Sequence, residues 1–375
     1  MLRIGLAGIG TIAEVYINLF VQNKIHGGVI TALSSRNMSH LAEIQNRYSL
    51  SQVSLFSDYT AMLNSGLIDV VLICTPHRLH ISMAMQALQA GVHPLIEKPL
   101  GVRYEDTLPL LDYLKKNPHL KAGILYCLRT MPIYQRIKFL LDSGAIGTLK
   151  RVTWLTTAWY RTPAYHASGS WRSSWTGEGG GLLMNQAAHH LDLLTWLCGA
   201  PSEVSSCCEF GNERHISVET DASLFLRYPN GAVGQFISSS REFPGTNRLE
   251  LSGSGGQIIM EDETSLLLRR LSIDEQDFAS ATSSFFGPIP YQESKESFSQ
   301  SPNTDKQAAV VTDFLSAVAS HSAPICPLEE GALSLALSNA AYLSAWTGQS
   351  VSCPPPGNMF LRELELHCQQ ESVNP

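Results

Sequence analysis

At 375 residues the chain exceeds the roughly 100–200 residues of one domain, so two domains with a sizeable core are expected. Its composition is 44% hydrophobic and 16% charged, below the roughly 25% charged of an average soluble protein, which points to surface covered by packing or by further copies of the chain. The net charge of −7 and the lack of a basic stripe with interleaved aromatics exclude a nucleic-acid surface and favour a small-molecule ligand. The eight cysteines (Cys74, Cys127, Cys198, Cys207, Cys208, Cys326, Cys353 and Cys368) are scattered, with no CxxC pair and no His/Cys spacing suited to zinc. They read as reduced thiols, and no metal is expected. The first strand begins at Leu2, which leaves no room for a secretory signal, and no apolar run reaches about eighteen residues. A cytoplasmic protein without a membrane partner is the expectation.

In chain order, residues 2–7 form a short apolar run ending in glycines, and residues 12–20 carry helical periodicity. Between them lies Gly8-Ile9-Gly10-Thr11-Ile12-Ala13. Gly8 permits a tight turn, Gly10 lets the backbone approach a pyrophosphate, and Ala13 stands where strand and helix pack closely. Backbone N–H groups at the helix start, around Thr11 and Ile12, would hold the phosphates. Apolar runs follow at 29–33, 70–74, 94–97 and 122–125, with helical segments between them, including 79–90. Near-continuous apolar strands alternating with amphipathic helices indicate a parallel sheet covered on both faces, a Rossmann-type domain. After the second strand, Ser34-Ser35-Arg36-Asn37 stands where dinucleotide folds place an acid on the adenosine ribose. With no carboxylate to repel a 2′-phosphate and Arg36 to pair with one, the chemistry favours NADP over NAD; alternatively Arg36 stacks on adenine and serves either.

Thr75-Pro76-His77-Arg78-Leu79-His80 follows the 70–74 run, and Glu97-Lys98-Pro99 closes the next. Both lie at carboxyl ends of parallel strands, where open α/β sheets bind ligands. Residues 182–197 read as a helix on which Asn185 and His189 are i and i+4 and share a face, with Asp192 further along it and His190 pointing elsewhere. His189 is then placed to take a hydroxyl proton; alone, it would read more readily as a buried histidine satisfied by backbone. Likewise Lys98, taken alone, is a surface cation. Tyr160, Arg161, Tyr165, Trp171, Arg172 and Trp175 lie in two aromatic, donor-rich stretches suited to a sugar ring. The alternatives are a packed loop with core tryptophans, or an anionic substrate held by Arg161 and Arg172. Runs at 152–156, 222–228, 233–238, 248–252 and 257–260 are β-rich, residues 283–305 read as a long loop, and 306–319 and 329–347 as helices.

Taken together, the N-terminal GxGxxA, the Thr-Pro-x-x-x-His element ending at His80, the Glu-Lys-Pro triplet and the stretch from Gly179-Gly180-Gly181 through His189 to Asp192 resemble the Gfo/Idh/MocA oxidoreductases, a family named after glucose-fructose oxidoreductase, inositol dehydrogenase and a rhizopine catabolism protein. Ser143 to Gly147, Tyr228 to Ala232 and Ser338 to Ser344 extend the resemblance over most of the chain. It implies a dinucleotide-binding domain over 1–124 and an α+β domain over 125–375. The latter would carry a large, mostly antiparallel sheet whose open face serves oligomer contacts, in a dimer or tetramer. It implies that Lys98 and His189 carry catalysis, with Asn185 standing where the family pattern has an acid, so that it can hydrogen-bond a substrate hydroxyl but not strengthen the base by charge. Gly8, Gly10, Thr11, Ile12, Ser35, Arg36, Thr75, Pro76, His77, His80, Glu97 and Lys98 are the expected cofactor residues. The expected activity is oxidation of a secondary alcohol on a sugar, glycoside or inositol with NADP or NAD. A glycosidase or lyase that reduces a bound nicotinamide transiently, and a non-catalytic cofactor-binding regulator, are the competing classes.

Overall fold

A computed structural model describes residues 1–169, 171–211 and 214–373. The first stretch alternates strand and helix: β1 (Leu2–Ala7), α1 (Thr11–Val21), β2 (Gly28–Ser34), α2 (Met38–Arg47), β3 (Ser54–Phe56), α3 (Tyr59–Leu63), β4 (Val70–Ile73), α4 (His77–Gln89), β5 (His93–Ile96), α5 (Leu108–Lys116) and β6 (Gly123–Ile124). These strands pair in parallel in the order β3-β2-β1-β4-β5-β6. Every residue of β4 is fully buried, which is why its sequence is an unbroken apolar run: helices cover both faces of such a sheet. The order reverses at β1 and β4, so the carboxyl ends of those two strands flank the crevice where dinucleotide folds take their ligand. The three-residue β3 has no buried position and carried no signal in the sequence.

The second stretch runs α6 (Pro132–Asp142), β7 (Leu149–Thr156), α7 (Pro163–His166), α8 (Ala188–Cys198), β8 (Glu203–Phe210), β9 (Glu219–Arg227), β10 (Val233–Ser239), β11 (Asn247–Gly253), β12 (Gly256–Glu261), β13 (Ser265–Leu271), α9 (Glu275–Ala281), β14 (Tyr291–Ser297), α10 (Asn303–Ser320), α11 (Leu328–Thr347), β15 (Val351–Ser352) and α12 (Gly357–Val373). Its nine strands form one sheet in the order β14-β13-β12-β11-β7-β10-β9-β8-β15, antiparallel except where β7 and β10 lie parallel. Alternation along β7, β9 and β10 buries Val152, Trp154, Leu224, Leu226 and Phe236 on one face while Phe225 and Ile237 stay exposed on the other. On the packed face Trp154 is fully buried against Tyr134, His190 and Phe236, and its indole N–H donates to Asn247 Oδ1 at 3.0 Å. Burying such a ring contributes roughly 3 kcal/mol. The tract 283–305, expected as loop, contains β14 and the start of α10. Strand β14 is exposed and polar, with Glu293 and Glu296 ion-paired to Arg269 and Arg136; an edge strand of that composition lacks the apolar alternation by which strands are recognised.

The chain divides into two compact units, one comprising Met1–Thr130, Gly177–Gly179 and Ser301–Leu335, the other Met131–Thr176, Gly180–Gln300 and Ala336–Pro375. Residues 301–335, expected with the second domain, therefore group with the first.

Candidate active site

On the first unit, β1 ends in a turn built by glycine. Gly8 has φ +84°, and a Cβ there would meet Thr75 Cγ2 at 2.6 Å and the Cys74 backbone at 2.9 Å, so the turn after β1 lies directly against the turn after β4. Gly10 differs: a Cβ built on it meets no atom within 4 Å. It is the N-cap of α1 and supplies no side-chain cap, so the backbone donors of the first helical turn have no side-chain acceptor from the cap. Ala13 is fully buried, as close packing of helix on strand requires. These residues fit a pyrophosphate at a helix N-terminus. Ser35 and Arg36 follow β2; Arg36 is exposed, and the next residue, Asn37, is occupied in capping α2 by accepting from His40 N at 3.0 Å.

The loops after β4 and β5 are tied to each other. His80 is fully buried, and its ring nitrogens lie 2.6 Å from Thr75 O and 2.8 Å from Pro99 O. Burial pushes its pKa below the ordinary value, against the pull of those two carbonyls. His77, also buried, donates from Nδ1 to Glu178 O at 3.1 Å. Glu97 is buried; its carboxylate accepts from Tyr16 OH at 2.6 Å and from Lys98 N at 3.0 Å. Burial raises its pKa, opposed by the Tyr16 hydroxyl and by the Lys98 charge and N–H. Lys98 itself is half-buried. A cleft of about 360 Å³ opens beside His77, lined by Arg78, Ile81, Ser82, Val102 and Arg103 among others.

On the second unit, His189 lies in the first turn of α8 and is half-buried, whereas His190 is buried with its ring edge-on to Trp154 and Trp159. Asn185 is not on that helix. Residues 182–187 form turns, with Ala187 N donating five residues back to Leu182 O at 2.8 Å. Three consecutive donors before α8 all end on Glu219: Gly181 N reaches Oε2 at 3.0 Å, Leu182 N its carbonyl at 3.2 Å, and Leu183 N Oε1 at 2.7 Å. Tyr342 OH adds a fourth bond at 2.7 Å. Glu219 is 1% exposed, and burial pushes its carboxyl up to about 7, partly offset by these donors. Nothing in the sequence reading singled it out. Tyr165 OH receives Arg172 Nη1 at 2.7 Å, Gln186 Nε2 at 2.8 Å and Asn185 Nδ2 at 3.3 Å, so Tyr165, Arg172 and Asn185 do come together, with Gln186 as an unforeseen member.

Residues 2–122 match the profile described as oxidoreductase family, NAD-binding Rossmann fold, and residues 134–259 that of the GFO/IDH/MocA C-terminal domain. The chain belongs to the Gfo/Idh/MocA oxidoreductase family. It is similar to the levoglucosan dehydrogenase of Pseudarthrobacter phenanthrenivorans, at 26% identity over 70% of this chain and 73% of that one. The myo-inositol 2-dehydrogenase of Thermotoga maritima is 25% identical over 93% of this chain and 98% of its own. Among solved structures, the WlbA dehydrogenase from Bordetella pertussis in complex with NADH and UDP-GlcNAcA superposes with a TM-score of 0.75 at 24% identity, covering 95% of this chain and 99% of that one. Levoglucosan dehydrogenase in complex with NADH and levoglucosan gives 0.77 at 20% identity, covering 94% and 99%.

Within this Gfo/Idh/MocA fold, three expected contacts take other roles. The His80 ring is enclosed between two carbonyls and braces the Lys98 loop, and Glu97 anchors that loop to α1 through Tyr16. Trp175 is 1% exposed, donates to Ser217 O at 3.0 Å and packs edge-on against Tyr342 and Trp346; it is core, as large apolar rings usually are. Tyr160 and Trp171 stay partly exposed at 41% and 39%.

Proposed function

We propose that the chain is an NAD(P)-dependent dehydrogenase interconverting a secondary alcohol and a ketone on a sugar, glycoside or inositol. The observation that carries this reading is that one sheet offers both a glycine turn, tight at Gly8 and open at Gly10, and a lysine just beyond the carboxyl end of β5, in a loop braced by Glu97 and His80. Relatives named for levoglucosan and inositol, and neighbours holding NADH with levoglucosan or UDP-GlcNAcA, support a carbohydrate or polyol substrate. The nicotinamide, when bound, accepts or returns the hydride. Gly10, Thr11 and Ile12 hold the phosphates, Ser35 and Arg36 meet the adenosine ribose, and Thr75, Pro76 and His77 line the crevice. Either nucleotide fits; exposed Arg36 with no acid beside it at the end of β2 favours NADP, while the NADH of the neighbours keeps NAD in play. Lys98 donates a hydrogen bond to the reacting oxygen and stabilises its developing charge, and His189 takes the hydroxyl proton. Asn185 holds a substrate hydroxyl by its amide. Self-association into a dimer or tetramer, in the cytoplasm, through the open face bearing Phe225 and Ile237 completes the proposal.

His189→Ala is expected to lower kcat by about 10²–10⁴, the usual worth of a positioned base, with nucleotide affinity retained. A kcat within threefold of the parent would remove His189 from the chemistry.

A further inference from the structure

In the second unit three arginines gather on aromatic rings. Arg161 donates to Tyr160 O at 2.9 Å and lies 4.9 Å from the Tyr165 ring centre. Arg172 bonds the Tyr165 hydroxyl and lies 4.6 Å from that ring and 4.7 Å from the Trp171 ring. Arg214, from the connection between β8 and β9, lies 5.5 Å from the Tyr160 ring. Most of the molecule's arginines sit on carboxylates, as in Arg3–Asp69, Arg136–Glu296 and Arg241–Asp221; among the described residues these three make no ion pair. All three act on one histidine. His166, bonded through Nδ1 to buried Ser173 at 2.7 Å, is pushed below its ordinary pKa first by burial and then by Arg214, Arg161 and Arg172.

The donors are also buried. Nε of Arg161, Arg172 and Arg214 and Nε1 of Trp159 are shut from solvent with no acceptor among the described residues. Clustered like charges destabilise one another, and a buried charged donor without an acceptor costs far more than an exposed one. Rings beneath guanidinium groups hold them in place without neutralising them. Such a set is complementary to a planar or tetrahedral group of anionic oxygens, which guanidinium forks bind in bidentate fashion. Through the Tyr165 oxygen, the cluster joins Asn185, four residues before His189.

Resting on the dehydrogenase reading above, we propose that the substrate is an acidic sugar, whose carboxylate or phosphate is received by Arg161, Arg172 and Arg214. The neutral ring then extends from the anion toward the Asn185 amide, and the charge rather than the hydroxyl pattern supplies most of the selectivity.

The test is calorimetric titration of the full chain, nucleotide present, with D-glucuronate, D-glucose 6-phosphate and D-glucose at 50 and 300 mM NaCl. At least one anion should bind tenfold or more tightly than glucose, with the advantage shrinking in high salt. Arg172→Gln and Arg214→Gln should each cut that anion-to-neutral ratio about tenfold, and Arg172→Lys, which keeps charge and loses the fork, by less. Preference for glucuronate alone assigns a carboxylate, and for the phosphate ester alone a phosphate. Should Arg172→Gln not fold, Arg214→Gln, whose side chain rests on an exposed ring, reads the same ratio. Equal or absent binding of all three sugars, or an anion preference untouched by the glutamine variants, overturns the proposal. Anion selectivity through these arginines without nicotinamide reduction would keep the site and discard the dehydrogenase; turnover of glucose without anion preference would do the reverse.

Discussion

Gly8 and Gly10 are two residues apart in one turn and are glycine for opposite reasons. At Gly8 any side chain collides with Thr75 and the Cys74 backbone from a positive φ, so Gly8→Ala should destabilise the first unit by about 1–3 kcal/mol and lower its melting temperature. At Gly10 a methyl group meets nothing. Gly10→Ala should therefore melt with the parent yet bind nucleotide at least tenfold more weakly, since the methyl occupies the approach of the phosphates. Equal nucleotide affinity in Gly10→Ala, read by fluorescence titration, would move the phosphates elsewhere. The glycine spacing was legible because it encodes backbone, which depends on neighbours only a few residues away. The roles of His80 and Glu97 were not: that an imidazole spans Thr75 and Pro99, or that a carboxylate meets a tyrosine 81 residues distant, is decided by tertiary placement. The same holds for Trp175, whose aromatic character suits a platform and a core equally.

Among the elements, the start of α8 departs furthest from expectation. Leu182, Leu183 and Met184 lead into Ala187 and Ala188 with helical spacing, and the pattern alone continues the helix back to residue 182. The backbone instead gives the N–H groups of Gly181, Leu182 and Leu183 to Glu219, so Asn185 reaches Tyr165 from a turn. Strand β9 thus positions the segment that leads into α8, through a residue whose pKa also makes a prediction. The Glu219 carboxyl titrates at about 7 in the fold against 4.5 ordinarily. The folded state therefore binds the extra proton between those values, and the stabilisation, full below about pH 4.5, is lost as pH rises through about 7, on the order of 3 kcal/mol in all. Glu219→Gln abolishes that titration. In paired denaturant titrations the parent should lose stability relative to Glu219→Gln between pH 5 and pH 8; a difference that is flat, or grows in the parent's favour, would show that Glu219 is ionised throughout.

For the whole molecule, legibility followed burial. In the parallel sheet β1, β2, β4 and β5 were readable because they are apolar along their buried runs, whereas the half-buried β3 was not, and five strands of the second sheet showed in their alternation. The missing ones, β8, β13, β14 and β15, lie toward the two ends of that sheet, where fewer positions face the core; β14 in particular is held by ion pairs that leave no periodic trace. Helix α10 carries an ordinary amphipathic pattern, and nothing in such a pattern says which unit its apolar face will join; it groups with the first unit after an excursion of more than a hundred residues through the second. The cluster of arginines was visible only in part, since Arg214 comes from a different connection than Arg161 and Arg172. We propose that the whole chain moves a hydride from a sugar carbon, with Lys98 at the reacting oxygen. The measurement that bears on it most directly is nicotinamide reduction followed at 340 nm, with NAD⁺ and NADP⁺ in parallel, across inositols, neutral sugars, sugar acids and glycosides, with Lys98→Ala alongside. Turnover is expected with at least one sugar, faster with NADP⁺ if Arg36 meets a 2′-phosphate, with a loss of about 10²-fold or more in Lys98→Ala. No reduction of either nucleotide by any of them, or turnover that Lys98→Ala leaves intact, would contradict it, and aglycone release from the glycosides without net reduction would instead identify an enzyme that borrows the nicotinamide and returns it.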